Sequence, residues 1–79
     1  MKNIEKKLGK VIRKKRQALG YSQEVFAEKA DIHRTYVSEI ELGKVNVGIN
    51  VAEKMAEALG TSLSYLIKEA ETEYKVNRK

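Results

Sequence analysis

Arg34, Thr35, Ser38 and Glu39 form the most informative group in this chain. At about 100° per residue of α-helix, with Arg34 at zero, Ser38, Leu42, Thr35 and Glu39 fall within about 140° on one side. Tyr36, Val37, Ile40 and Glu41 fall on the other. The first set is mostly short and polar; the second carries the apolar Val37 and Ile40. An arginine fork can hold guanine O6 and N7 together. A threonine offers a hydroxyl and a methyl that can touch a thymine methyl, and a glutamate can accept from cytosine N4. What this face can do is recognise base edges, and it contains no machinery for making or breaking bonds.

Other candidate chemistry is poor. Glu53 and Glu57 are one helical turn apart, but nothing beside them completes an acid–base site. Ser22, Ser38, Ser62 and Ser64 have no base partner that the sequence identifies, and there is no glycine-rich phosphate loop. The chain has no cysteine and a single histidine, His33, which excludes disulfides, thiolate metal sites and a histidine-rich zinc site. The expectation is a protein that is not an enzyme, with no metal and no cofactor.

The recognition face needs a scaffold to hold it out. No stretch alternates as a strand would, so the reading is all-α: a compact five-helix bundle. Gly20, Gly43 and Gly60 each follow an apolar-periodic segment, where glycine closes a helix. The first helix is expected over about 3–19, with Ile4, Leu8, Val11, Ile12 and Leu19 on its inner side. Ser22 caps a second helix that runs to about Lys29, with Val25, Phe26 and Ala30 apolar. The third begins at His33 or Arg34 and ends before Gly43. The fourth covers about 49–59, with Ile49, Ala52, Met55, Ala56 and Leu59 in phase. Ser62 caps the fifth, whose Leu63, Leu66, Ile67, Ala70 and Tyr74 share one side, and the polar tail 75–79 is expected to fray. Asp31 stands at the tight corner between the second and third helices, where a left-handed backbone suits glycine best and Asp or Asn next. Ala27 is small where those two helices cross. This is the composition of a helix-turn-helix over about 22–43, whose second helix enters a major groove.

With 79 residues the chain is one domain, 1–79, and 42% hydrophobic residues suffice for a core. No apolar run approaches a membrane span, and the simplest compartment is the cytoplasm. Charge is uneven. Residues 1–16 hold Lys2, Lys6, Lys7, Lys10, Arg13, Lys14, Lys15 and Arg16 against one acid, Glu5, a local charge of +7. The remainder, with eight basic and ten acidic residues, is −2. A basic end points to a polyanion.

The chain resembles the Cro/repressor-type, Xre-like helix-turn-helix proteins. The resemblance covers about residues 8–67 and rests on Leu8-Gly9, Ile12-Arg13, Arg16, Gly20, Ser22-Gln23-Glu24 and Phe26-Ala27. It continues through Ile32, Tyr36-Val37-Ser38, Ile40-Glu41, Gly43-Lys44, Asn46 and Ala58-Leu59-Gly60. Within the family, the run from His33 to Ser38 is similar to the controller proteins of restriction–modification systems. The resemblance implies a lambda-repressor-like DNA-binding domain and a transcription regulator acting on double-stranded DNA, by blocking or recruiting RNA polymerase. It places Arg34, Thr35, Ser38 and Glu39 on bases. Gln23, Tyr36, Lys44 and Asn46 would meet phosphates, and His33 would serve as a cap or phosphate contact. It implies a structural ion pair between Arg16 and Glu41.

The resemblance also implies a homodimer on a palindromic operator. Leu63, Leu66, Ile67 and Ala70 also exceed what one small core requires, so the seam would lie on a dimerisation helix of about 62–74, with Leu66 or Ile67 at the axis; the alternative is that all four finish the protomer core. Four departures stand out: Asp31 for the corner glycine, His33 for a capping Ser, Leu42 where Arg or Asn is usual, and Val47-Gly48 for Pro-Ser, which leaves the fourth helix weakly capped. Rival readings are a stand-alone phage or plasmid repressor, a DNA-binding antitoxin, or a polybasic module for RNA or membranes using residues 2–16. That segment lacks the Trp and Phe of an interfacial helix.

Overall fold

The computed structural model describes residues 4–78, with side chains through Thr72. The described residues form five helices and no strand: α1 (Ile4–Ala18), α2 (Gln23–Ala30), α3 (Arg34–Glu41), α4 (Ile49–Ala58) and α5 (Leu63–Arg78). Helix α1 packs on α3 and most extensively on α5, α2 packs on α3 and α4, and α4 closes on α5. The side chains pointing into this arrangement come from all five helices: Ile12, Phe26, Val37, Ile40, Met55 and Leu66 are fully enclosed. Each contributes roughly 1.5–3 kcal/mol by leaving water; in α3 the apolar anchors are Val37 and Ile40, with buried Glu41 beside them.

Local sequence sets the ends of the elements. The Ser22 hydroxyl accepts from the Val25 N–H (3.1 Å) and the Ser62 hydroxyl from the Tyr65 N–H (3.1 Å), so both serines cap as their positions require. Gly48 offers α4 no side-chain cap, as Val47-Gly48 implies. Asp31 adopts the left-handed conformation, φ 59° and ψ 47°. The Ile32 N–H turns back to the Ala27 carbonyl (3.0 Å), which ends α2 and reverses the chain into α3.

One close approach in the core is not revealed by hydrophobic periodicity. Gly9 is buried in the middle of α1, and a Cβ there would collide with the carbonyl oxygens of Ile40 and Glu41. Its missing side chain lets α1 rest directly on the last turn of α3.

Several expectations are corrected. Leu19 lies past the end of α1 and is exposed: the helix closes at Ala18, so Leu19 leaves the inner face. Val25 and Ile49 are also exposed. Each sits in the first turn of a short helix whose core-facing positions are taken by later residues, Phe26 and Ala30 in α2 and Ala52, Met55 and Ala56 in α4. The backbone of α5 is helical through residue 78, with neither glycine nor proline to interrupt it. Asn3 and the side chain of Tyr74 lie outside the described residues.

Candidate nucleic-acid interface

The polar face of α3 stands on a buried polar junction. Arg16, near the end of α1, and Glu41, at the end of α3, are each only 7% exposed. The Arg16 Nε donates to Glu41 Oε2 (2.6 Å) and Nη2 donates to Oε1 (3.1 Å), a bidentate pair. Nη1 donates to the Tyr21 carbonyl (2.7 Å), which ties in the loop between α1 and α2. Gln23, the first residue of α2, donates its amide to Glu41 Oε1 (3.1 Å). One carboxylate therefore connects three helices, and no buried side-chain nitrogen or oxygen among the described residues lacks a partner. The structural ion pair is present, and Gln23 extends it.

Beyond this junction α3 turns outward the surface that lies away from Val37 and Ile40. Arg34 and Thr35 are exposed, and Ser38 and Glu39 are half-buried. Val37 and Ile40 are sealed underneath, so the polar face cannot rotate inward. Among the described residues the Arg34 guanidinium makes no ion pair or hydrogen bond, leaving its fork available. His33 caps α3: its Nδ1 accepts from the Thr35 N–H (3.3 Å), which occupies one ring nitrogen and fixes the first turn. Tyr36 is half-buried and packs against the core edge.

The far end of α3 is shaped by Gly43. Its φ of +72° is open to glycine and strained for other residues, and a Cβ there would lie 3.0 Å from the Lys6 Cα. The Lys44 N–H bonds back to the Glu39 carbonyl (3.0 Å). Lys44 and Asn46 emerge exposed from that turn, beyond a helix about 12 Å long. Among the described residues no three His, Cys, Asp or Glu side chains gather as metal ligands, and no helix is long and apolar enough to cross a membrane.

The family model described as helix-turn-helix matches residues 12–66. The chain belongs to this helix-turn-helix family. Its members are DNA-binding transcription regulators of the Xre type, and the exposed α3 lies where such proteins carry their recognition helix. The chain is similar to control protein C.MunI from Mycoplasma sp., with 39% identity over 74 residues, 92% of this chain and 100% of that one. It is similar to the transcriptional regulator SinR of Bacillus subtilis, 38% identical over 69 residues, 85% of this chain and 62% of the relative. Among solved structures, the restriction–modification controller protein C.AhdI from Aeromonas hydrophila superposes with a TM-score of 0.76 at 35% identity, covering 78% of this chain and 94% of that one. The clp gene regulator ClgR from Corynebacterium glutamicum gives 0.89 at 25% identity, covering 95% and 80%.

The expected seam on α5 is corrected in part. Leu66 and Ala70 are 0% exposed within the protomer, where they complete its core against α1 and α4. They have no surface left to bury in a partner. Leu63 and Ile67 are only half-buried.

Sequence reasoning missed the Gln23–Glu41 bond, because hydrogen bonding across 18 positions leaves no local pattern. It also missed the role of Gly9, although a glycine inside an otherwise regular helical stripe is a recognisable sign of close backbone approach.

Proposed function

We propose that this protein is the controller of a restriction–modification system, binding a palindromic operator as a homodimer and regulating transcription by blocking or recruiting RNA polymerase. The observation that carries the reading is the outward face of α3. An unpaired Arg34 with Thr35 beside it is held away from the core by Val37 and Ile40 below, and Glu41 is locked by Arg16 behind. In this reading Arg34, Thr35, Ser38 and Glu39 read bases, while Tyr36, Lys44, Asn46 and the Gln23 end of α2 hold phosphates. Likeness to C.MunI over that relative's full length supports the controller assignment.

Apolar side chains that the protomer leaves partly uncovered support the homodimer. Leu63 and Ile67 lie within about 40° of each other on α5 and are partly open to water. An isologous contact through them would place two recognition helices about 34 Å apart, one turn of duplex. Selection from a random duplex library should return an inverted repeat, and footprinting should protect both halves; an unstructured selection would sink the assignment. Neighbouring genes for a methyltransferase and an endonuclease distinguish a controller from a stand-alone repressor.

Ile67→Glu places like charges across the axis. The variant should sediment as a folded monomer and bind the repeat far more weakly, since each half-site must then be filled independently. A dimer unaffected by Ile67→Glu and by Leu63→Glu would put the interface elsewhere.

A further inference from the structure

The most basic part of the chain is not used by the recognition helix. Lys6, Lys10 and Arg13 are all exposed on α1. With Lys6 at zero, Lys10 and Arg13 fall at about +40° and −20°, so the three form one narrow stripe. Gly9 and Arg16, the α1 residues that touch α3, fall beside it at about −60° and −80°. The stripe therefore borders the seam between α1 and α3. Its first member adjoins the loop after α3, because Lys6 lies directly over Gly43, next to Lys44. On the opposite side of the helix the situation differs: Lys15 pairs with Glu69 of α5 (3.2 Å) and stacks over Tyr65 (5.1 Å). The basic residue facing the protein is neutralised by it, and the stripe has no acidic partner among the described residues.

We propose that Lys6, Lys10 and Arg13 form a second phosphate-binding track, continuing from Lys44 along the strand that the α3–α4 loop meets. The proposal rests on the DNA-binding reading above and adds α1 to it. Lys6 to Arg13 spans about 10 Å of helix axis, and about 10 Å of duplex axis carries about three phosphates of one strand, within reach of three long side chains when α1 runs along the duplex. Three cations at that spacing match a strand without reading its sequence, since phosphate contacts position and do not specify. An anionic membrane fits less well: Leu8, Val11 and Ile12 of α1 are buried in the protomer, so the helix has no free apolar face to insert.

The test uses the full chain with Lys6→Gln, Lys10→Gln and Arg13→Gln combined; glutamine keeps the aliphatic stem that covers Gly43. Affinity is measured by fluorescence anisotropy against salt, on a random-sequence duplex and on the selected repeat. The slope of log affinity against log salt should fall by about 2–3 on both duplexes, with the preference between them unchanged. At 0.1 M salt this means a loss of well over tenfold, shrinking as salt rises. Helical circular dichroism and melting should match the wild type; if the triple variant misfolds, each single variant should still lower the slope by about 1. The charge-keeping set Lys6→Arg, Lys10→Arg and Arg13→Lys should retain the wild-type slope. An unchanged slope in the glutamine variants overturns the track. So does a loss confined to single-stranded RNA or to phosphatidylserine vesicles with duplex binding intact. If the wild type itself binds no duplex, the DNA-binding reading fails, and that outcome is distinct from failure of the track alone.

Discussion

Arg16 and Arg34 carry the same guanidinium, and the fold uses them in opposite ways. Arg16 is 7% exposed, with its donors spent on Glu41 and the Tyr21 carbonyl. Arg34 is exposed, and none of its donors is spent within the described protein. The first holds α1, α2 and α3 together; the second stands open to solvent at the start of α3. A buried charge is worth keeping only when fully partnered, whereas an exposed fork keeps its energy for a ligand. Which task an arginine performs is set by its surroundings and not by its type.

The largest way to break this contrast is Glu41→Gln. Removing the carboxylate strands the Arg16 charge and costs up to about 3–5 kcal/mol when such a pair is fully buried. In a domain this small the melting temperature should drop sharply, and DNA binding should disappear with the fold. An unchanged melting temperature would mean the junction does not stabilise the protein.

The outer region should respond differently. Arg34→Ala should leave melting nearly unchanged while costing about 1–3 kcal/mol on the cognate site and relaxing preference at one position. Lys44→Ala should weaken cognate and random duplex alike and lower the salt slope by about 1. Titrations at several salt concentrations separate the two; if Arg34→Ala kept the wild-type preference, Arg34 would not be a base reader.

Gln23 sharpens the comparison because the proposed function gives it a second task beside its bond in the junction. It donates to Glu41 in the junction and begins α2, where a phosphate would approach. Gln23→Ala should cost about 1 kcal/mol of stability, the net worth of one hydrogen bond, and a small factor in DNA affinity. Thermal melting in parallel with binding detects both; affinity lost with no change in melting would assign Gln23 to the DNA alone.

Much of this was legible in the chain itself. Three helix-closing glycines, Ser22 and Ser62 as caps and Asp31 at the corner are local signals, because capping and turn geometry depend on neighbours a few residues away. The polar and apolar faces of α3 were legible for the same reason: a helix converts spacing into sides. The limits appear at Val25, Ile49, Leu66 and Ala70. All four have the right hydrophobic spacing, yet the first two face water and the last two finish the protomer core instead of the seam.

The residues by themselves determined the helix-turn-helix and the polar and apolar sides of α3, and the family resemblance added the pairing of Arg16 with Glu41. Only the tertiary structure decided which apolar side chains are enclosed, that Gly9 admits α3 against α1, that Gln23 joins the ion pair, and that Lys6 borders the α3–α4 loop. Those outcomes depend on contacts between residues far apart in sequence. Periodicity states which side of a helix is apolar, but it cannot state what lies opposite or how much of that side is covered.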